Sequence, residues 1–316
     1  MMTAVLRYTG RIFQMSHLST GNKLMIGVIL AALSNVLFGV LYAYSKWMAP
    51  LTGTQVFFWR MVMMWLCMAA FLVMTGKMAQ VKSDLQAIRG AKSWVYLLLP
   101  TPILASQLWL FMWAPVNGQS IQVSMGYFLF PLTMVVAGFL VFRERLTKLQ
   151  TLAVALAAAG VSVEIWRTSG ISWATLWVCG TYPIYYVIRR LLGVRALTGL
   201  FVDLSIIAPI CLAGILMSDA AVVTSSGTLL IKTLGLGAIS VLAMATNIEA
   251  SRLLPVSLFG MLSYLEPVLL FILSITILGS VFSLSMLVSY GLIWAAVVCL
   301  IIQGLFANRQ KDEQRS

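Results

Sequence analysis

Acidic residues are scarce in this chain. Nine Asp and Glu stand among 316 residues, against 21 Lys and Arg, and the single histidine, His17, precedes the first long apolar run. One histidine leaves no His-based metal site and no Ser-His-Asp or Cys-His arrangement. The four cysteines, Cys67, Cys179, Cys211 and Cys299, each lie inside an apolar run, and no two form a CxxC. That pattern argues against a disulfide framework or a zinc site and for small buried apolar side chains. No GxxxxGK[ST] loop is present, so nucleotide-driven pumping by this chain is excluded. Neither cofactor nor metal is expected. Charged residues make up only 9% of the chain and hydrophobic ones 61%, where soluble domains carry roughly 25% and 45–50%.

What is present is apolar sequence in long runs. Ten segments can be drawn, at 24–45, 55–75, 93–113, 119–142, 148–166, 171–188, 199–217, 229–248, 255–278 and 284–306. A spanning helix needs about 20 mostly apolar residues. The runs are continuous rather than alternating, which argues against an outer-membrane barrel. The first run is too long for a signal-peptide core. The expected fold is an all-α integral membrane protein, multi-pass in a bacterial inner membrane. The net charge of +12 does not point to nucleic acid, because the basic residues sit singly or in small groups between apolar runs.

Those basic residues orient the chain. With residues 1–23 as a cytoplasmic tail, 17 Lys and Arg fall on the cytoplasmic side, and only Lys46, Arg60, Arg167 and Lys232 on the other. Cytoplasmic loops carry the excess of positive charge, so ten crossings with both termini inside is the expectation, and 307–316 is a second cytoplasmic tail.

The second half echoes the first. At an offset of 136, SMGYFLFPLTMVVAGFLV from Ser124 lies over GMLSYLEPVLLFILSITI from Gly260, matching Pro131 to Pro267. At an offset of 144, Phe38–Lys46 lies over Tyr182–Arg190. The repeat unit is five segments, an odd number, so residues 24–166 and 171–306 enter the membrane in opposite directions. Inverted repeats of this kind mark alternating-access transporters, with the substrate near mid-membrane.

The stretch Leu108–Val161, with WAPVNGQSIQVSMGYFLFPL followed by Glu144-Arg145-Leu146, resembles the RarD-like branch of the EamA-type transporters, in the drug/metabolite transporter superfamily. SYLEPVLLF (Ser263–Phe271) is similar to the LEP segment common in EamA repeats. The resemblance runs from about Leu24 to Phe306. It implies two five-helix EamA units and export or permeation of small metabolites or drugs. The chain departs from the pattern at Gln122, where many members carry an acid, at Phe130, where they carry Asn, and at Gly279-Ser280, where Gly-Glu often closes the repeat.

Of the nine acids, Glu266 alone falls in the middle of a segment. An ionised carboxylate at that depth costs about 2.5–3.5 kcal/mol or more, so Glu266 faces the bundle interior, pairs with a cation or is protonated. It is either a substrate or proton group or a neutral packing residue. Tyr264 and Ser263 are its local companions. Asn35, Tyr42, Gln107, Trp109, Gln122, Tyr127, Tyr185 and Asn247 complete the candidates for substrate binding or coupling, since buried amides and hydroxyls turn from lipid toward partners. Pro131 and Pro267 are candidate helix bends. Arg60, near the outer end of the second segment, is expected to reach the headgroups. Asp203 and Glu164 are expected near water at helix ends. The small-residue segments 148–166 and 284–306 suit a support or homodimer surface.

These features describe a secondary transporter without covalent chemistry, working by rocking of two five-helix halves around a central cavity. Its partners are the lipid bilayer and a small organic substrate with an apolar or aromatic part. Export by proton antiport through Glu266 is one reading; an uncoupled facilitator and a non-transporting assembly or sensor subunit are the alternatives. A lipid-modifying enzyme would need clustered acids or histidines at one interface, which the chain lacks. In a cysteine-less background, His17→Cys and Ser316→Cys should react with an impermeant maleimide only from the cytoplasmic side, and Ser225→Cys only from outside. Termini labelled from opposite faces would overturn the even number of crossings.

Overall fold

The computed structural model describes residues 20–142, 146–168, 172–192, 195–218, 221–254, 259, 262–280 and 283–313. All regular structure among them is helical. In chain order the helices are α1 (Thr20–Trp47), α2 (Gly53–Met74), α3 (Met78–Ala87), α4 (Ala91–Leu98), α5 (Thr101–Trp113), α6 (Ser120–Phe142), α7 (Lys148–Thr168), α8 (Trp173–Leu192), α9 (Ala196–Met217), α10 (Gly227–Leu253), α11 (Leu265–Thr276) and α12 (Leu287–Glu313). The tail residues 1–19 and the Arg143-Glu144-Arg145 triplet lie outside the described residues.

Seven stretches are long and apolar enough to cross a membrane: α1, α2, α4 with α5, α6, α7, α9 and α10. The sixth expected segment, α8, holds two tryptophans, three tyrosines and two arginines, which dilute its hydropathy. The ninth and tenth supply α11 and Leu287–Ile302, apolar but shorter. The third is divided at Leu99-Pro100 into α4 and α5, because proline lacks an N–H and clashes with the preceding turn. The loop after α2, expected to be a basic connector, contains the helix α3. Its Asp84 accepts a hydrogen bond from Thr198 Oγ1 and lies 3.5 Å from Arg195, which fastens α3 to the start of α9.

Two starts are written in T-x-x-Q. Thr52 caps α2, receiving the Gln55 N–H at 3.3 Å while its own N–H donates to Gln55 Oε1 at 2.8 Å. Thr147 and Gln150 repeat the exchange before α7, at 3.3 and 2.9 Å. Reciprocal capping of this kind satisfies N–H groups that have no partner within the helix.

Helices from before residue 168 pack on helices from after residue 173. α1 lies along α10 and α11, α2 along α9 and α10, α6 along α8 and α11, and α7 along α12. Two glycines allow the closest approaches around the interior. A Cβ on Gly237 of α10 would stand 2.5 Å from the Cβ of Met63 in α2, and one on Gly126 of α6 would stand 2.6 Å from the Cβ of Val178 in α8. Larger side chains there force the helices apart. Gly237→Leu should therefore lower stability by about 1–3 kcal/mol, seen as a reduced Tm of the purified protein in detergent. An unchanged Tm would show that α2 and α10 do not approach this closely.

Candidate functional site

The ninth apolar segment is interrupted at its acid. Leu262 and Ser263 are helical, Tyr264 is in a turn, and α11 starts at Leu265. Pro267 therefore sits in the first turn of a helix, where no intrahelical partner for an N–H exists, rather than bending a continuous one. Glu266 occupies the same turn, where the aligned peptide dipoles favour negative charge. The Leu262 carbonyl at the break accepts a hydrogen bond from Asn35 Nδ2 of α1 at 3.0 Å, and the same nitrogen donates to the Ala31 carbonyl at 2.8 Å. A carbonyl beside an irregular turn inside an apolar bundle is satisfied by such a partner.

Across from this break stands Arg60. It does not reach outward, as its place in the sequence suggests, but is 2% exposed. Its Nε donates to Ser240 Oγ of α10 at 3.0 Å, and its guanidinium carbon lies 5.4 Å from the centre of the Phe111 ring. Nη1 has no hydrogen-bond partner. Arg60 interacts electrostatically with Glu266, Tyr127 and Tyr182, yet no contact ion pair with Glu266 is formed.

An aromatic wall joins these groups. Phe111 packs edge-on to Tyr127 at 6.1 Å, and Tyr127 to Tyr182 at 6.0 Å. Phe130 packs on Tyr182 at 5.3 Å and on Tyr186 at 5.4 Å. Tyr186 nevertheless remains 44% exposed, and it interacts electrostatically with Glu266. The cluster is drawn from α2, α5, α6, α8 and α11.

The EamA-like transporter family matches residues 25–166. An uncharacterized transporter of Haemophilus influenzae is 40% identical over 90% of this chain and 96% of its own length. The chloramphenicol-sensitive protein RarD of Pseudomonas aeruginosa is 37% identical over 86% of this chain and 92% of its own. The chain belongs to the EamA-like transporter family, in its RarD-like branch. The protein RarD of Salmonella typhimurium is similar as well, at 27% identity over 90% of this chain and 97% of its own. A solved crystal structure with 16% identity covers 90% of this chain and 99% of its own at a TM-score of 0.58, a likeness of fold. This EamA-like chain is thus a multi-pass membrane protein of a transporter family.

Of the residues singled out in its sequence, the fold brings Glu266 and Tyr127 together with Arg60. Others are spoken for elsewhere. The Tyr42 hydroxyl is fully buried and donates to the Ser120 carbonyl at 3.0 Å. Gln107 Nε2 donates to the Trp177 carbonyl at 3.1 Å and to Thr181 Oγ1 at 2.6 Å, joining α5 to α8. Trp109 Nε1 donates to Thr54 Oγ1 at 3.0 Å, and its ring stacks on Trp113 at 5.3 Å. Asn247 Nδ2 reaches Ser34 Oγ at 3.4 Å, and Ser263 Oγ bonds back to the Phe259 carbonyl at 2.9 Å. The Tyr264 hydroxyl is buried without a partner.

Tyr185 belongs to a charge cluster that its sequence position hides. Asp203, expected near water, is fully buried. It accepts from Thr101 Oγ1 at 2.6 Å and from the Tyr185 hydroxyl at 3.2 Å, and it forms an ion pair with Arg189. A second pair, Glu164 with Arg167, joins α7 to α12 through Ser289 Oγ, which donates to Glu164 at 2.6 Å. That pair lines a separate cavity of about 550 Å³ with Gln122, Ser172, Thr175 and Tyr290. Neither Arg60 nor Glu266 touches that cavity.

Prolines give one further contact that the sequence reading missed. Pro131 lies within α6 and Pro183 within α8. Pro183 offers no N–H to the carbonyl of Cys179, and Thr133 Oγ1 of α6 donates to that carbonyl instead, at 2.7 Å. Thr133→Val should cost about 1 kcal/mol in thermal unfolding, whereas Thr133→Ser should retain wild-type stability. Equal loss in both variants would mean that the methyl group, not the hydrogen bond, ties α6 to α8.

Proposed function

We propose that the protein is a secondary transporter of the bacterial inner membrane that moves a small organic solute by alternating access. The chain crosses the bilayer ten times as two inverted five-helix repeats, 24–166 and 171–306, with cytoplasmic tails 1–23 and 307–316. The pairing of helices supports this reading, because an inverted repeat predicts that α1–α10 and α5–α8 are related contacts, as are α6–α8 and α1–α11, and all four occur. Substrate binds between the halves, at Arg60, Tyr127, Tyr182, Tyr186 and Glu266. Interrupted helices whose ends face a mid-membrane site are the hallmark of such carriers.

The observation that carries the proposal is a buried guanidinium, Arg60, with an unpartnered Nη1, acting electrostatically on the half-buried Glu266 beside an aromatic wall at the break in the ninth segment. A structural ion pair would close to contact to offset its desolvation, and Arg60 forms none, keeping a donor unpaired. Asn35, which holds the break open, positions the site rather than contacting substrate. Tyr42, Gln107, Trp109, Tyr185 and Asn247 line or brace the surrounding helices, and Tyr264 and Ser263 shape the turn before Glu266. Export is the expected direction, and α7 with α12 offers the surface for a homodimer. An uncoupled facilitator is the second reading, favoured by the lack of any second acid acting on Arg60.

Proteoliposomes decide between these readings. Uptake of labelled aromatic solutes, with chloramphenicol included because one relative is named for sensitivity to it, should exceed that of empty vesicles at least several-fold. A proton-coupled carrier responds to an imposed pH gradient and loses the response in Glu266→Gln; a facilitator ignores the gradient in both. Absence of flux for every solute would leave the protein without a transport role.

A further inference from the structure

A cation buried among apolar side chains must be balanced nearby. Arg60 cannot shed its charge, because guanidinium stays protonated in proteins. Among the described residues the carboxylate whose charge acts on it is Glu266. Two other interior acids have their own cations: Asp203 has Arg189, and Glu164 has Arg167. The groups facing Glu266 from the neighbouring helices are Arg60 of α2, Tyr127 of α6, and Tyr182 and Tyr186 of α8, with Tyr42 of α1 behind Tyr127. None of them except Arg60 carries a charge while its phenol is intact. This cluster therefore holds one fixed positive charge and one negative charge that a proton can remove.

Arg60 Nη1 is buried with no hydrogen-bond partner, a donor left for a ligand to meet. Guanidinium donors match the two oxygens of a carboxylate. The faces of Phe111, Tyr127, Phe130, Tyr182 and Tyr186 beside it favour a flat apolar body. Resting on the transporter reading above, we infer that the site takes a small aromatic monocarboxylate together with one proton, the ligand's carboxylate replacing that of Glu266 as counter-charge to Arg60. Two carboxylates cannot both stay ionised against one guanidinium in so apolar a setting, so arrival of the anion drives a proton from water onto Glu266. The balance is one anion and one proton taken up and no net charge gained. Ligand and proton then cross in the same direction. This reverses the antiport suggested by the sequence.

The test uses purified full-length protein in detergent, with benzoate, phenylacetate and indole-3-acetate as probes against their neutral amides. Calorimetry in buffers of different ionisation enthalpy counts protons. Wild type should take up about one proton per carboxylate bound and lose affinity about tenfold per pH unit once Glu266 is ionised in the free protein. Glu266→Gln should bind the acids with no proton uptake and no pH dependence, and more tightly than wild type at alkaline pH. A gain of affinity cannot come from misfolding. Arg60→Gln should erase the preference for acid over amide, and Arg60→Lys should keep part of it, which separates lost recognition from lost folding. Acids bound no more tightly than amides, or protons released on binding, would overturn the inference. Binding with proton uptake but no flux in vesicles would sink the transporter reading and leave this one standing. Flux that treats acids and amides alike, without protons, would do the reverse.

Discussion

Everything else in this molecule accommodates one guanidinium in an apolar interior. An arginine within a spanning helix costs up to about 2.5–3.5 kcal/mol on insertion scales, the most at the centre, and Arg60 is 2% exposed. The surroundings lower that cost without cancelling it. Ser240 accepts one hydrogen bond, the Phe111 ring faces the charge, and Glu266 supplies opposite charge from a distance. Full neutralisation by contact would be more stable and would leave nothing for a ligand to do. The unfilled donor is thus stability forgone at the place where a ligand is proposed to bind, as strained or unsatisfied groups at sites generally are.

The acid opposite depends on a broken helix. Had α11 continued unbroken from the residues before it, Glu266 would lie mid-helix, with no terminal dipole to favour its charge. The interruption at Tyr264 places it in a first turn, beside a proline that such a turn tolerates. The carbonyl left by the interruption is met by Asn35 from α1. One amide, one proline and one turn together set where a negative charge stands inside the bundle.

Legibility from sequence varied with the kind of signal. The membrane character, the helical class and the family were plain, because long apolar runs and a specific motif need no tertiary context. Glu266 stood out for the same reason: one acid in the middle of a run has few explanations. Arg60 and Asp203 were hidden by their positions. Each lies within about two turns of a segment end, where snorkelling is the ordinary outcome for an isolated helix. What decided otherwise was the close approach of neighbours, through Gly237 against Met63 for Arg60, and through Thr101, Tyr185 and Arg189 for Asp203. The count of spans was blurred at α8, whose tyrosines and arginines lower its hydropathy, with Tyr185 and Arg189 serving the interior. Pro183 was overlooked because its effect is exerted through Cys179 on a threonine 46 residues away.

That last contact bears on what can travel as a unit. Where Pro183 leaves a carbonyl open, α8 is stitched to α6 by a side chain instead of to itself, and α1 is seated just as firmly along α10 through Tyr44, Lys232 and Trp47. The covalent midpoint of the chain is therefore not a mechanical seam. Any swing that opens one face must carry α6 with α8, and α1 with α10, as composite blocks. Each pair joins a helix from before residue 168 to one from after residue 173, so moving one member without the other would break these hydrogen bonds.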